Sequence, residues 1–101
     1  MASSNEYLIY ILDLLREVDG ITYKKMMGEF LLYKDGVLFG GVYDDRFLVK
    51  DMPSLENSGL EKALPYEGAK PMRLVDTDDA DSVKGIVTAV LWDLELKRKV
   101  Y

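Results

Sequence analysis

Residues 24–51 read KKMMGEFLLYKDGVLFGGVYDDRFLVKD, and two turn signals cut this stretch into short apolar runs. The first, Asp35-Gly36, is the stronger. Asp-Gly between runs rich in β-branched and aromatic residues closes a tight hairpin, because both central positions of the favoured turn need positive φ. Asp44-Asp45 turns the chain a second time. A meander of antiparallel strands follows as the simplest outcome: Thr22 to Met27, Glu29 to Lys34, Val37 to Tyr43 and Arg46 to Lys50, with Gly28 breaking the first pair. Gly40-Gly41 sits inside the third run, where glycine packs nothing and weakens a strand. Such a pair marks a bulge, a bend or a close backbone approach. The expected neighbour is a helix crossing the sheet at short range, rather than a ligand.

Helical signals flank the meander. Ser3 and Glu6 have capping-box spacing, and Leu8, Ile11, Leu12, Leu15 and Val18 keep the spacing of a core-facing stripe, so a helix is expected to about Asp19 with Gly20 as its stop. Tyr7, Ile9, Tyr10 and Leu14 widen its apolar face, which suits deep packing on a sheet or, as a second reading, a face shared with another subunit. A closing helix is expected from about Asp79 to Lys99, with Val83, Ile86, Val87, Val90, Leu91 and Leu94 inward and Trp92 flanking them. Lys97, Arg98 and Lys99 then meet the negative end of its dipole. Between these lie a short helix from Pro53 or Ser54 to about Leu64, a loop over 65–71 set by two prolines and a glycine, and a last short strand at Met72 to Val75. The fold class is therefore α+β: two layers, with an antiparallel meander sheet of four to five strands packed by the N- and C-terminal helices. One domain of 101 residues accounts for the whole chain, a length that buries roughly 60–70% of its unfolded surface without staples.

Composition narrows the chemistry. There is neither cysteine nor histidine, which removes disulfides, thiolate chemistry and the commonest general base and metal ligand. No phosphate-binding glycine loop and no Ser-x-x-Lys spacing occurs. Residues 76–82, DTDDADS, invite a calcium reading. Counted from Asp76, however, the positions that need glycine and glutamate hold Asp81 and Val87. Asp78 or Asp79 capping the closing helix explains that cluster better. Asp44-Asp45 is expected at a solvated turn tip. A net charge of −5 opposes direct nucleic-acid binding, which draws on phosphate neutralisation. No apolar run reaches the roughly 18 residues of a membrane span, and no signal peptide is expected. These features suit a cytoplasmic protein.

At the meander the chain resembles the N-terminal domain of the TfoX/Sxy family, known for regulators of natural competence. The residues that carry the resemblance are Lys24 or Lys25, Met26, Met27, Gly28, Glu29, Phe30, Tyr33, Asp35, Gly36, Phe39, Gly40, Val42, Leu48 and Lys50. The loop before Pro71-Met72 and the closing helix keep the family order, so the likeness spans nearly the whole chain. Met27 stands where the family has an aromatic, Glu29 where it has a second glycine, and Gly40 where it has alanine. Longer members carry a further helical domain. The resemblance implies a two-layer α+β domain, helices packed on an antiparallel sheet, without established catalysis or cofactor, and points to a role through protein contacts in transcriptional regulation. Its relatives in fold include small chaperone-like proteins that pair into dimers.

The expected function is accordingly a non-enzymatic interaction module with a protein partner, with a homodimer as a further possibility. Lys24, Lys25, Arg46, Lys50 and Arg73 form the candidate surface, provided that strand alternation gathers them. The simpler account of these cations is solvated strand edges, where lysine blocks aggregation. A small-molecule or anion site beside the Gly28 and Gly40-Gly41 bends is the alternative, and a carboxylate-only metal enzyme is a third reading.

Overall fold

Three successive two-residue hairpins build the first half of the sheet. In the computed structural model, which describes residues 3–98, the turns are Met27-Gly28, Asp35-Gly36 and Asp44-Asp45, and all six residues have φ between 50° and 84°. Both central positions are thus left-handed, the arrangement that matches strand twist. The Asp44-Asp45 turn is closed by paired bonds between the Tyr43 and Arg46 backbones. Aspartate tolerates this conformation well; Met27 does not, and it is almost wholly exposed.

Among the described residues these turns join β1 (Ile21–Met26), β2 (Glu29–Lys34), β3 (Val37–Val42) and β4 (Phe47–Lys50). β5 (Lys62–Ala63) and β6 (Met72–Leu74) complete an antiparallel sheet of order β1-β2-β3-β4-β6-β5. The sheet therefore has six strands rather than four or five. The difference lies in 53–64, where a helix was expected and a 3₁₀ turn, Pro53–Leu55, forms instead. Leu55 and Leu60 alone cannot supply a helical stripe, and Gly59 at φ 81° ends any helix there.

Helices α1 (Asn5–Leu14) and α2 (Ala80–Arg98) cover one face. Residues paired across strands share a face, and the row Phe30, Val42, Phe47 and the pair Leu32, Val49 point to the helices. They meet Leu8, Ile11, Leu14 and Leu15 of the first helical segment and Val83, Val87 and Val90 of α2 in one core. Trp92 does not join it, being 63% exposed, and Ile9 and Tyr10 also face outward. No described helix is long and apolar enough to cross a membrane.

The first helix is shorter than its pattern, because residues 15–20 continue as turns. Its cap is Ser4, whose Oγ accepts the Tyr7 N–H at 3.1 Å, not Ser3. Ser3 is drawn away: its N–H and hydroxyl both donate to Glu29 Oε1, at 3.0 and 2.8 Å. The other Glu29 oxygen accepts the Asp44 N–H, and Asp45 Oδ1 accepts the Ser4 N–H at 2.9 Å. Asp45 is thus a structural partner as well as a turn residue. For α2 the expected cap holds: Asp79 Oδ2 accepts from the Ser82 N–H and hydroxyl. The dipole contact expected of Lys97, Arg98 and Lys99 lies outside the described side chains.

Gly40-Gly41 marks a bulge. Leu32 pairs with Gly40 and Tyr33 with Leu38, which leaves Phe39 as the extra residue, fully buried. The close neighbour is a strand and not a helix. A Cβ on Gly40 would fall on the Leu48 carbonyl oxygen and 3.0 Å from the Val49 Cα; one on Gly41 would lie 2.6 Å from the Phe30 carbonyl oxygen and 2.7 Å from the Tyr43 ring. Gly40→Ala is therefore expected to cost about 1–3 kcal/mol in urea denaturation, since β4 backbone cannot move aside.

The cap of α2 sets a pH dependence. Hydrogen bonds from Ser82 hold the Asp79 carboxyl below the usual aspartate range. Its contribution is present at neutral pH, above the unfolded pKa, and is lost as pH falls through the lowered folded value. Asp79→Ala should therefore lower the melting temperature at neutral pH and flatten its fall on acidification. Thermal denaturation from pH 7 to strong acid measures both. Glu17 has the opposite sign: a hydrogen bond with Asp81 raises its pKa, so its contribution is present at low pH and lost as pH rises through the raised value.

Candidate functional site

The five expected cations do not form one spot. Lys24 and Lys25 lie on β1, at the far edge of the sheet from β6 and β5, with β2 and β3 separating them from β4. They also point to opposite faces, because Lys25 pairs with core residue Phe30 and Lys24 with Leu31. Arg73 is buried at 8% exposure, where its Nε donates to Asp51 Oδ1 at 2.7 Å and its Nη1 to the Leu60 carbonyl at 2.8 Å. It fastens residues 51–60 to the sheet instead of facing solvent. Arg46 donates to the Tyr43 and Leu64 carbonyls and so fixes the start of the 65–71 loop. Gly28 belongs to the β1–β2 turn and takes no part in a pocket with Gly40.

Of the five, Lys50 borders a groove that the other four do not line. On the face away from the helices, a groove of about 540 Å³ opens between β3, the end of β4 and the 65–71 loop. One wall holds Leu38, Gly40 and Tyr43; the floor and second wall hold Lys50, Asp51, Met52 and Met72; the loop adds Pro65, Tyr66, Ala69, Lys70 and Pro71. Register explains the face, since Lys50 pairs with Met72 and Leu48 with Gly41 and Leu74. Leu48 is fully buried although it lies outside the main core. The Tyr43 ring lies over Gly41, filling the space that the missing side chain leaves.

The charges in the groove are unequal. Asp51 is taken up by Arg73 through one oxygen and by Lys62, at 3.7 Å, through the other. Lys50 and Lys70 make no ion pair with a described residue. Burial, reinforced by Tyr66, Glu29 and Tyr33, pushes the Tyr43 phenol above its ordinary pKa. At neutral pH it is a hydrogen-bond donor and not a base. Among the described residues no three acidic side chains converge as a metal site would require.

The sequence pattern marks Tyr66 and Lys70 only as loop residues, although they stand between two prolines that stiffen the segment presenting them. Their signal was the bracketing Pro65 and Pro71; their partners across the groove come from strands that only the fold brings near. Arg73→Met should destabilise the protein by about 2–3 kcal/mol, leaving the Leu60 carbonyl and the Asp51 carboxylate short of a charged donor. Hydrogen exchange should quicken first around residues 60–63. No protein-family model matches the chain, and no curated protein matches its sequence.

Proposed function

We propose that the chain is a non-enzymatic protein-interaction module, similar to the N-terminal domain of TfoX/Sxy regulators and acting in the cytoplasm in competence-type transcriptional control. The resemblance supplies the regulatory context. The observation that carries the contact surface is the β1 edge. β1 is six residues long, exposed along nearly all its length, and terminal in the sheet. An edge strand of this kind presents a row of backbone donors and acceptors to which an extended segment can add.

Charge selects the occupant. Lys24 and Lys25 make no ion pair with a described residue, and Tyr23 and Met26 beside them are about half exposed. Two copies paired through β1 would bring lysines together, and like charges on adjacent strands destabilise such a pair. The edge therefore fits a partner strand with acidic and apolar residues, and it opposes self-association at the same place.

The test is capture from native lysate by the tagged protein, repeated with Lys24→Glu/Lys25→Glu and followed by hydrogen exchange on the complex. The double variant should keep the parent melting temperature and lose at least about tenfold in affinity, while the complex should protect β1 amides. Capture that survives the double variant, or protection confined to other elements, overturns this assignment. Light scattering on the isolated protein should give a monomer.

A further inference from the structure

We propose that the groove between β3, β4 and the 65–71 loop is a binding site for a small organic anion with a flat apolar body, of the aryl carboxylate class. It lies on a different part of the sheet from the β1 edge, and it does not depend on the partner reading.

Three features select that ligand. The first is charge. The chain is acidic, at −5, yet this groove carries Lys50 and Lys70 without ion-paired acids, while its one carboxylate, Asp51, is engaged by Arg73 and Lys62. An anion is the missing counterpart. The second is the kind of donor. Lysines are point charges that bind carboxylate or phosphate without the planar bidentate geometry of arginine, and no arginine fork lines the groove, so the apolar wall decides for an organic anion. Two ammonium groups and the protonated Tyr43 hydroxyl suit a single carboxylate. The third is the wall. Tyr43 and Tyr66 provide rings, and Met52 and Met72 provide adaptable thioethers, which together favour an aromatic body. A volume of about 540 Å³ lies in the range of small-molecule sites.

The ring of Tyr66 is 65% exposed on a loop fixed at its start by Arg46. It is placed to cover a ligand and to lose exposure when one enters.

Two-dimensional amide NMR of the full chain tests this, with indole-3-acetate, neutral indole-3-acetamide and inorganic phosphate as probes. Indole-3-acetate should give saturable shifts at Gly40, Tyr43, Lys50 and residues 66–72. The acetamide and phosphate should each bind at least about tenfold more weakly. Lys50→Met/Lys70→Ala should reduce indole-3-acetate affinity about tenfold or more at unchanged melting temperature, and Lys70→Ala alone, on the exposed loop, gives a second reading without touching a strand. Lys24→Glu/Lys25→Glu should leave the titration unaltered. No saturable shift below about 10 mM, equal response to the acetamide, tighter binding of phosphate, or shifts centred elsewhere would each overturn the proposal.

Discussion

β3 has to pass closer to β4 than any side chain allows, and much of the molecule is arranged around that contact. Gly40 leaves room for the Leu48 carbonyl, and the accompanying bulge gives β3 an extra residue. Phe39 uses that residue to enter the core from a position that strict alternation would have reversed. Beyond the bulge, Val42 returns to the row of Phe30 and Phe47, while Tyr43 turns outward over Gly41. One irregularity thus serves both faces: a fully filled core under the helices and a tyrosine wall on the other side. A regular strand would supply neither.

The core and the long connection between β4 and β6 are held by different physics. The helix side is apolar and continuous, with seventeen buried hydrophobic residues across the chain and Arg73 as the one buried charged side chain described. The long connection between β4 and β6 is held instead by a few directed bonds. Arg46 reaches the Leu64 carbonyl, and Arg73 reaches Asp51 and the Leu60 carbonyl. These two arginines were expected among surface cations, and both act as fasteners for the long connection between β4 and β6. Arginine suits this work because its fork offers several donors in fixed geometry. Lys24, Lys25, Lys50 and Lys70, by contrast, make no ion pair with a described residue, which leaves them for partners.

Local chemistry was legible in the sequence, and non-local chemistry was not. Asp35-Gly36 and Asp44-Asp45 announce their turns because positive φ is a property of those residues themselves. Asp79 likewise announces the start of α2 through spacing to its own first turn. By contrast, Ser3 and Ser4 compete for one cap, and the winner is set by Glu29 and Asp45, far along the chain. β5 is two residues long and exists only because β6 is inserted beside β4. No periodicity can signal such a strand. The cation cluster failed for the same reason: strand order, not alternation, decides that Lys24 and Lys50 stand apart.

The bonds from Ser3 and Ser4 to Glu29 and Asp45 also bear on the order in which the chain can assemble. They span separations of 26 and 41 residues. A helix of ten residues is marginal in water by itself, and during synthesis α1 emerges well before the carboxylates that anchor it. It has to wait, held only by its own Ser4 cap and with its apolar stripe uncovered, until the third hairpin has left the ribosome. The meander, whose pairings are mostly between neighbours in sequence, can form in that interval. The first element to be made is therefore among the last to be secured, and its docking reports that the turns behind it are already correct.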